Sequence, residues 1–181
     1  MKRPSLVILD RDGVINADSA DYIRSPSEWI PLPGSADAIA RLHQAGVTVV
    51  IATNQSGIAR GYFSRRTLYR IHAKLRRVVR AAGGEIAAIA FCPDGPGVNS
   101  ECRKPRPGMV LRLLKQFQVS ADAAVLIGDS SRDLAAAKAA GVRPWLVMTG
   151  NGRTAINGEP QPDRVFDDLG AAVDTLLSLP V

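Results

Sequence analysis

The sequence predicts an α/β fold, a Rossmann-like and mostly parallel sheet with helices on both faces. Three observations carry this expectation. Apolar stretches of strand length alternate with stretches of helical periodicity along the 181 residues. The strand stretches lack polar alternation, as parallel strands buried on both faces do. The polar residues best equipped for chemistry fall after those stretches, where open parallel sheets bind ligands.

Leu6-Val7-Ile8-Leu9 reads as the first buried strand and stops on Asp10-Arg11-Asp12-Gly13. A connection over residues 11 to 33 follows, long enough to be either functional or locally structured. Ser35 is placed to cap a helix over 36 to 45, with Gly46 as its stop. The second strand is 47 to 52, followed by Thr53-Asn54-Gln55-Ser56-Gly57. Ser64 caps a long helix in which Leu68, Ile71, Leu75, Val78 and Val79 keep helical spacing, and Gly83-Gly84 ends it. Residues 86 to 91 form a third strand, and a Gly/Pro-rich loop runs from Cys92 to Pro107. Val110, Leu113, Leu114 and Phe117 mark the next helix. The fourth strand, 124 to 127, ends on Gly128-Asp129, and Ser130 or Ser131 opens an alanine-rich helix closed by Gly141. A fifth strand at 144 to 148 and a helix near 168 to 178 complete the chain.

The totals bound the function. A length of 181 residues suits one domain, residues 1–181, and 46% hydrophobic with 22% charged residues is ordinary for a globular protein. No apolar run approaches the ~20 residues of a membrane span. Met1-Lys2-Arg3-Pro4 leads straight into the first strand, leaving no room for a signal peptide, and two cysteines cannot make a disulfide-rich framework, so a cytoplasmic protein is expected. The net charge of +6 suits nucleic acid or an acidic small molecule. Arg65, Arg66, Arg70, Lys74, Arg76, Arg77 and Arg80 crowd one helix, which reads as a solvated face.

The carboxylates demand a cation. Two of them about 4 Å apart repel by ~4 kcal/mol at an effective dielectric near 20. Asp10, Asp12, Asp129 and Asp133 would meet this repeatedly. Oxygen ligands without histidine favour magnesium, held by Asp10, Asp12 and Asp129 with Asp133 supporting. Lys104 is the protein cation. Such a site suits a phosphoryl group. Asp10 is the candidate nucleophile and Asp12 the general acid, then base. Thr53 offers a hydroxyl to the phosphoryl oxygens, and Lys104 offsets charge between phosphate and aspartate.

Asp10-Arg11-Asp12-Gly13, Thr53, Lys104 and Gly128-Asp129-x-x-x-Asp133 together resemble the four motifs of haloacid dehalogenase superfamily phosphatases. Leu9-Asp10-Arg11-Asp12-Gly13-x-Ile15-Asn16, Thr53 to Gly61, and Cys102-Arg103-Lys104-Pro105-x-Pro107-Gly108-Met109 are similar to its heptose 1,7-bisphosphate 7-phosphatase family. The likeness spans residues 5 to 150. It implies a minimal cap, magnesium, and hydrolysis of the C7 phosphate through an aspartyl-phosphate, in nucleotide-activated heptose synthesis for lipopolysaccharide. It also implies substrate contacts from Arg11, Asp18, Tyr22, Asn54, Gln55, Ser56 and Arg103, the last toward the sugar's other phosphate or hydroxyls. A phosphorylated sugar is then the partner of a monomer that needs neither nucleic acid nor membrane.

Three departures stand out. The Asp18 to Tyr22 loop is one residue longer than the family spacing, and Ser130 replaces a lysine found in some relatives. The family's zinc positions here read Cys92-Pro93-Asp94 and Ser100-Glu101-Cys102, leaving Cys92, Asp94 and Cys102 as candidate ligands. Two sulfurs fall short of the usual four nitrogen or sulfur donors, so zinc is not expected. The rival readings are a histidinol-phosphate phosphatase, a polynucleotide 3′-phosphatase drawing on the basic helix, and a non-catalytic phosphate-binding module.

Overall fold

Every residue of β1 (Leu6–Leu9) is buried, because the strand sits in the middle of its sheet with a helical layer on each side. The computed structural model describes residues 2–181. After β1 come α1 (Ser35–Gln44), β2 (Thr48–Asn54), α2 (Arg65–Ala81), β3 (Ala88–Cys92), α3 (Gly108–Phe117), β4 (Ala124–Gly128), α4 (Ser131–Ala139), β5 (Arg143–Val147), the single turn α5 (Gly152–Ala155), β6 (Arg164–Phe166) and α6 (Leu169–Ser178). The six strands are parallel, in the order β3-β2-β1-β4-β5-β6.

The period of two along β1 divides the core. Val7 and Leu9 pack in one layer with Ile39 and Leu42 of α1, Ile71 and Leu75 of α2, and Val173 and Leu176 of α6. Leu6 and Ile8 pack in the other with Val110 and Leu113 of α3 and Ala136 and Ala137 of α4. Each such side chain contributes roughly 1.5–3 kcal/mol on burial. That burial holds rigid a strand whose next residue is a carboxylate.

The order of the sheet places the site. The chain moves outward from β1 through β2 to β3, then crosses back to lay β4 on the other side of β1. The crevice where the direction reverses opens at the carboxyl ends of β1 and β4, directly before Asp10 and Asp129.

Several expectations are adjusted. Ser35 is not a cap: Gly34 occupies that position, and the Ser35 hydroxyl instead donates to the carbonyls of Ile15 (2.7 Å) and Leu32 (2.8 Å). Its hydroxyl is drawn inward because the 11-to-33 connection needs anchoring there. The connection is locally structured, with bridges from Asn16 to Asp12 and Pro31 and a bond from Trp29 Nε1 to Asn16 Oδ1 (2.8 Å). β2 runs on through Thr53 and Asn54, which pair with β3, so Thr53 belongs to the strand. α5 and β6 were not expected; β6 is a three-residue edge strand, too short to leave a pattern.

Ser64 caps α2 by accepting from Thr67 N–H, as expected. The basic helix is only partly a solvated face. Lys74 donates to the carbonyls of Pro26 and Trp29, both at 2.7 Å, and Arg76 donates to that of Ile86. Arg65, Arg66, Arg70, Arg77 and Arg80 are exposed.

Candidate active site

Asp10 follows β1 directly, and its own N–H donates to the Ile127 carbonyl of β4 at 3.0 Å. Its carboxylate is held through Oδ1, which accepts from Arg11 N–H (2.7 Å) and faces Lys104 Nζ (3.0 Å). Oδ2 accepts no hydrogen bond from the described residues. Lys104 reaches this point from the loop after β3 and is 2% exposed. Its ammonium has three acceptors: Asp10, Asp133 Oδ1 (2.5 Å) and the Ala52 carbonyl (2.7 Å). An ammonium has three protons, so the group is saturated.

Asp133 is 0% exposed, so the carboxylate at the start of α4 is turned away from solvent. Its Oδ2 accepts from the N–H and hydroxyl of Ser130, closing a capping box at the start of α4. Asp129 Oδ2 accepts from the Asn151 N–H (2.8 Å) and Nδ2 (3.1 Å). Ligand oxygens of Asp10, Asp129 and Asp133 lie within 4.8 Å of one another.

The electrostatics follow from this crowding. Burial pushes the Asp10 carboxyl up to about 8; Lys104 opposes the rise, and Asp133, Asp129 and Asp12 add to it. Burial, then Asp133, raises Asp129 to about 6 against the hydrogen bonds from Asn151. Burial would favour a neutral Lys104, yet Asp10 and Asp133 outweigh it and hold the lysine above its ordinary value. One buried ammonium thus faces more carboxylates than it can neutralise. The remaining oxygen donors fit a hard divalent cation such as magnesium.

The Asp12 carboxylate departs from expectation, because it does not join this cluster. Arg11 binds it through Nε (3.0 Å) and Nη2 (2.8 Å to each oxygen), and Asn16 Nδ2 (2.9 Å) and Gln55 Nε2 (3.0 Å) complete its shell. For the same reason Arg11 offers substrate no side chain: it is 1% exposed, spent on Asp12 and, at 3.4 Å, on His72 Nε2. Asn54 lines the cleft and also serves the lysine. Its amide clasps the backbone of Lys104, accepting from N–H (3.1 Å) and donating to the carbonyl (3.0 Å), so it positions the lysine. Gln55 bridges Asp12 Oδ2 to Thr53 Oγ1 (2.9 Å), joining two groups that the sequence separates by 41 positions.

A cleft of about 320 Å³ opens over these residues, and Asp18, Tyr22, Gln55, Ser56 and Arg103 all line it. The Tyr22 ring packs on Tyr62 with centroids 5.2 Å apart. Arg60, Arg132 and Asn151 also line the cleft and were not anticipated. Arg103 is anchored by Nη1 to the Asp94 carbonyl (2.9 Å), and burial followed by nearby Arg132 lowers its pKa, with Arg60 adding to the effect. Neither Arg60 nor Arg132 has an ion-pair partner among the described residues. Arg60 sits inside a motif that the sequence displays, and Asn151 follows β5, whose carboxyl end lies on the same sheet edge. The same switch-point reasoning reaches both.

Cys92, Asp94, Ser100 and Cys102 converge beside the cleft. Cys92 and Cys102 are joined as a disulfide, with Ser100 Oγ 3.4 and 3.1 Å from their sulfurs. Both sulfurs and an Asp94 carboxylate oxygen also lie within 4.8 Å of one another, so the reduced pair with Asp94 would present three ligand atoms to a metal ion.

A family model described as HAD-hydrolase-like matches residues 101–172. A D-glycero-beta-D-manno-heptose-1,7-bisphosphate 7-phosphatase from Pseudomonas putida is 51% identical over 173 residues, covering 95% of this chain and 99% of its own. A relative of the same name from Bordetella bronchiseptica is 52% identical over 174 residues, covering 95% and 97%. Among solved structures, D,D-heptose 1.7-bisphosphate phosphatase from B. bronchiseptica, complexed with magnesium and phosphate, is similar with a TM-score of 0.93 and 51% identity over 96% of this chain and 98% of its own.

Proposed function

Because the chain belongs to the heptose-1,7-bisphosphate 7-phosphatases of the haloacid dehalogenase-like hydrolases, we propose that its cleft removes the C7 phosphate of D-glycero-D-manno-heptose 1,7-bisphosphate with Asp10 as nucleophile. The observation that carries the reading is the Asp10 carboxylate at the end of β1, fixed by Lys104 at 3.0 Å beside Asp129 and Asp133.

Asp10 attacks phosphorus and forms an aspartyl-phosphate as the bond from phosphorus to the C7 oxygen breaks. Asp12 gives the departing alkoxide its proton. It then takes a proton from water, whose oxygen attacks phosphorus and breaks the bond to Asp10, releasing phosphate. For both steps Asp12 has to exchange part of its Arg11 and Gln55 shell for the reacting oxygen. Thr53, oriented by Gln55, donates its hydroxyl to a phosphoryl oxygen. Lys104 holds Asp10 in place and offsets the charge of the phosphoryl group. Magnesium would be held by Asp10 and Asp129, with Asp133, tied to Lys104 and Ser130, behind them. When bound it supplies positive charge against the phosphoryl oxygens.

Arg60, Arg103 and Arg132 supply the specificity. Three guanidiniums over one cleft suit the phosphate that is retained. The same cluster disfavours histidinol phosphate, which carries a cationic amine instead of a second phosphate. Such a doubly phosphorylated sugar does not cross membranes unaided, which supports a cytoplasmic reaction. The residues lining the cleft all belong to one small domain, which can work as a monomer. No helix among the described residues is long and apolar enough to cross a membrane.

The test is a panel of heptose 1,7-bisphosphate, histidinol phosphate and a 3′-phosphorylated oligonucleotide, assayed with magnesium. The heptose bisphosphate is expected to give the highest kcat/KM. A higher value for either rival overturns the assignment, and no turnover of any favours a binding module.

A further inference from the structure

We propose that Asn151 is a positioning residue, one that fixes the Asp129 carboxylate and ties it to the substrate loop through Asp18. The inference rests on the function proposed above and extends it to a residue outside the recognised motifs. The Asn151 amide has two protons, and both are used between carboxylates. Nδ2 donates to Asp129 Oδ2 at 3.1 Å and to Asp18 Oδ2 at 3.0 Å, while the backbone N–H adds a 2.8 Å bond to the same Asp129 oxygen. Asp129 Oδ2 is therefore occupied, and Oδ1 accepts nothing from the described residues. A neutral amide is suited to the place, because it satisfies two like charges without repelling either.

The turn around Asn151 is built to lie against this carboxylate. Gly150 has φ +56, and a Cβ there would fall 2.2 Å from Asp129 Oδ2 and 2.7 Å from the Gly13 Cα. A Cβ on Gly13 would fall 2.1 Å from the same oxygen. Both positions need glycine. Thr149 Oγ1 donates to the Gly13 carbonyl at 2.6 Å and fastens the turn to the loop that follows Asp10. The loop carrying Asp18 is held at its far side by the packing of Tyr22 on Tyr62. Asn151 is thus the point where the β5 turn, the metal-binding carboxylate and the substrate loop meet. Groups that orient a ligating carboxylate typically contribute 10–100-fold to metal affinity.

The test uses the full chain with Asn151→Ala, Asp18→Ala and the double variant. Mn²⁺ binding is followed by electron paramagnetic resonance without substrate, and kcat and KM are measured with the best ester of the panel. Asn151→Ala is expected to weaken Mn²⁺ binding about tenfold and to raise KM. Asp18→Ala is expected to raise KM alone, and the double variant to raise it no further than Asn151→Ala does. Mn²⁺ affinity within twofold of wild type in Asn151→Ala, no Mn²⁺ binding by the wild type, or fully multiplicative KM effects would each overturn the proposal. Asn151→Ser replaces the alanine variant if thermal melting shows that the latter does not fold. The metal readout needs no sugar, so failure of the substrate assignment leaves it intact.

Discussion

Lys104 Nζ donates to Asp133 Oδ1, a carboxylate with 0% of its surface exposed, and so spends on a second, buried aspartate part of the charge that the sequence shares between the phosphate and Asp10. The pair ties the loop after β3 to the start of α4 across the mouth of the crevice. Removing one member of such a pair leaves the other buried and uncompensated, which costs about 3–5 kcal/mol. Lys104→Met is expected to lose about that much stability in chemical denaturation, and its kcat should fall by at least about 10²-fold. Near wild-type stability would show that the ammonium does not neutralise this cluster.

Asp10→Asn keeps a hydrogen-bonding group of the same size beside Lys104, whose second carboxylate remains. Turnover should disappear while the melting temperature stays at or above that of wild type. Residual turnover at wild-type rates would remove Asp10 from the nucleophile role.

Magnesium uptake should release protons. Without metal, the Asp10 carboxyl at about 8 is mostly protonated at pH 7 and Asp129 at about 6 is mostly ionised. A divalent ligand site requires both to be ionised. Calorimetry in buffers of different ionisation enthalpy should show about one proton released at pH 7 and almost none above about pH 9. No release at pH 7 would mean that Asp10 is already ionised in the free enzyme.

Buried His72, packed against Arg11, provides a pH signal that is independent of the metal. Burial first, then Arg11 and to a smaller extent Arg76, lowers its pKa to about 3 against the opposing charge of Asp12. Between about 3 and 6.5 the folded protein therefore binds fewer protons than the unfolded chain, so this stability is present above about pH 6.5 and is lost as pH falls. The raised carboxyl of Asp10 acts in the opposite sense, and comparison with His72→Gln cancels it. The difference between wild type and variant should shift by about 2 kcal/mol between pH 7.5 and pH 5, against wild type at the lower pH. A constant difference would show that His72 titrates alike in the folded and unfolded states.

Arg132 should act on the retained phosphate. A charged hydrogen bond of about 1.5–3 kcal/mol corresponds to roughly 10–100-fold in affinity. Arg132→Ala is expected to raise KM for the bisphosphate by about that factor while leaving a simple aryl monophosphate nearly unaffected. Equal losses on both substrates would place Arg132 in a general role.

Much of this is legible in the sequence. Residues 6 to 9, 47 to 52 and 124 to 127 announce themselves as buried strands, and the residues that follow them reach one edge because parallel strands point the same way. Side-chain direction was less accessible. Arg11 occupies a motif position that suggests contact with substrate, yet its side chain is buried on Asp12, and the half-buried Asn54 amide also holds the Lys104 backbone. β6 escaped notice because three residues on a sheet edge carry almost no hydrophobic pattern.

By itself the sequence determined the parallel sheet, the four segments that carry the chemistry and the reaction class, because buried strands and charged turns leave local patterns. Only the tertiary structure decided which groups share a proton, a cation or a carboxylate. Asn151 meets Asp129 and Asp18 across separations of 22 and 133 residues, and Lys104 meets Asp133 across 29. Such contacts follow from the crossing between β1 and β4. The energy that selects them is electrostatic and depends on burial, which no local stretch of sequence encodes.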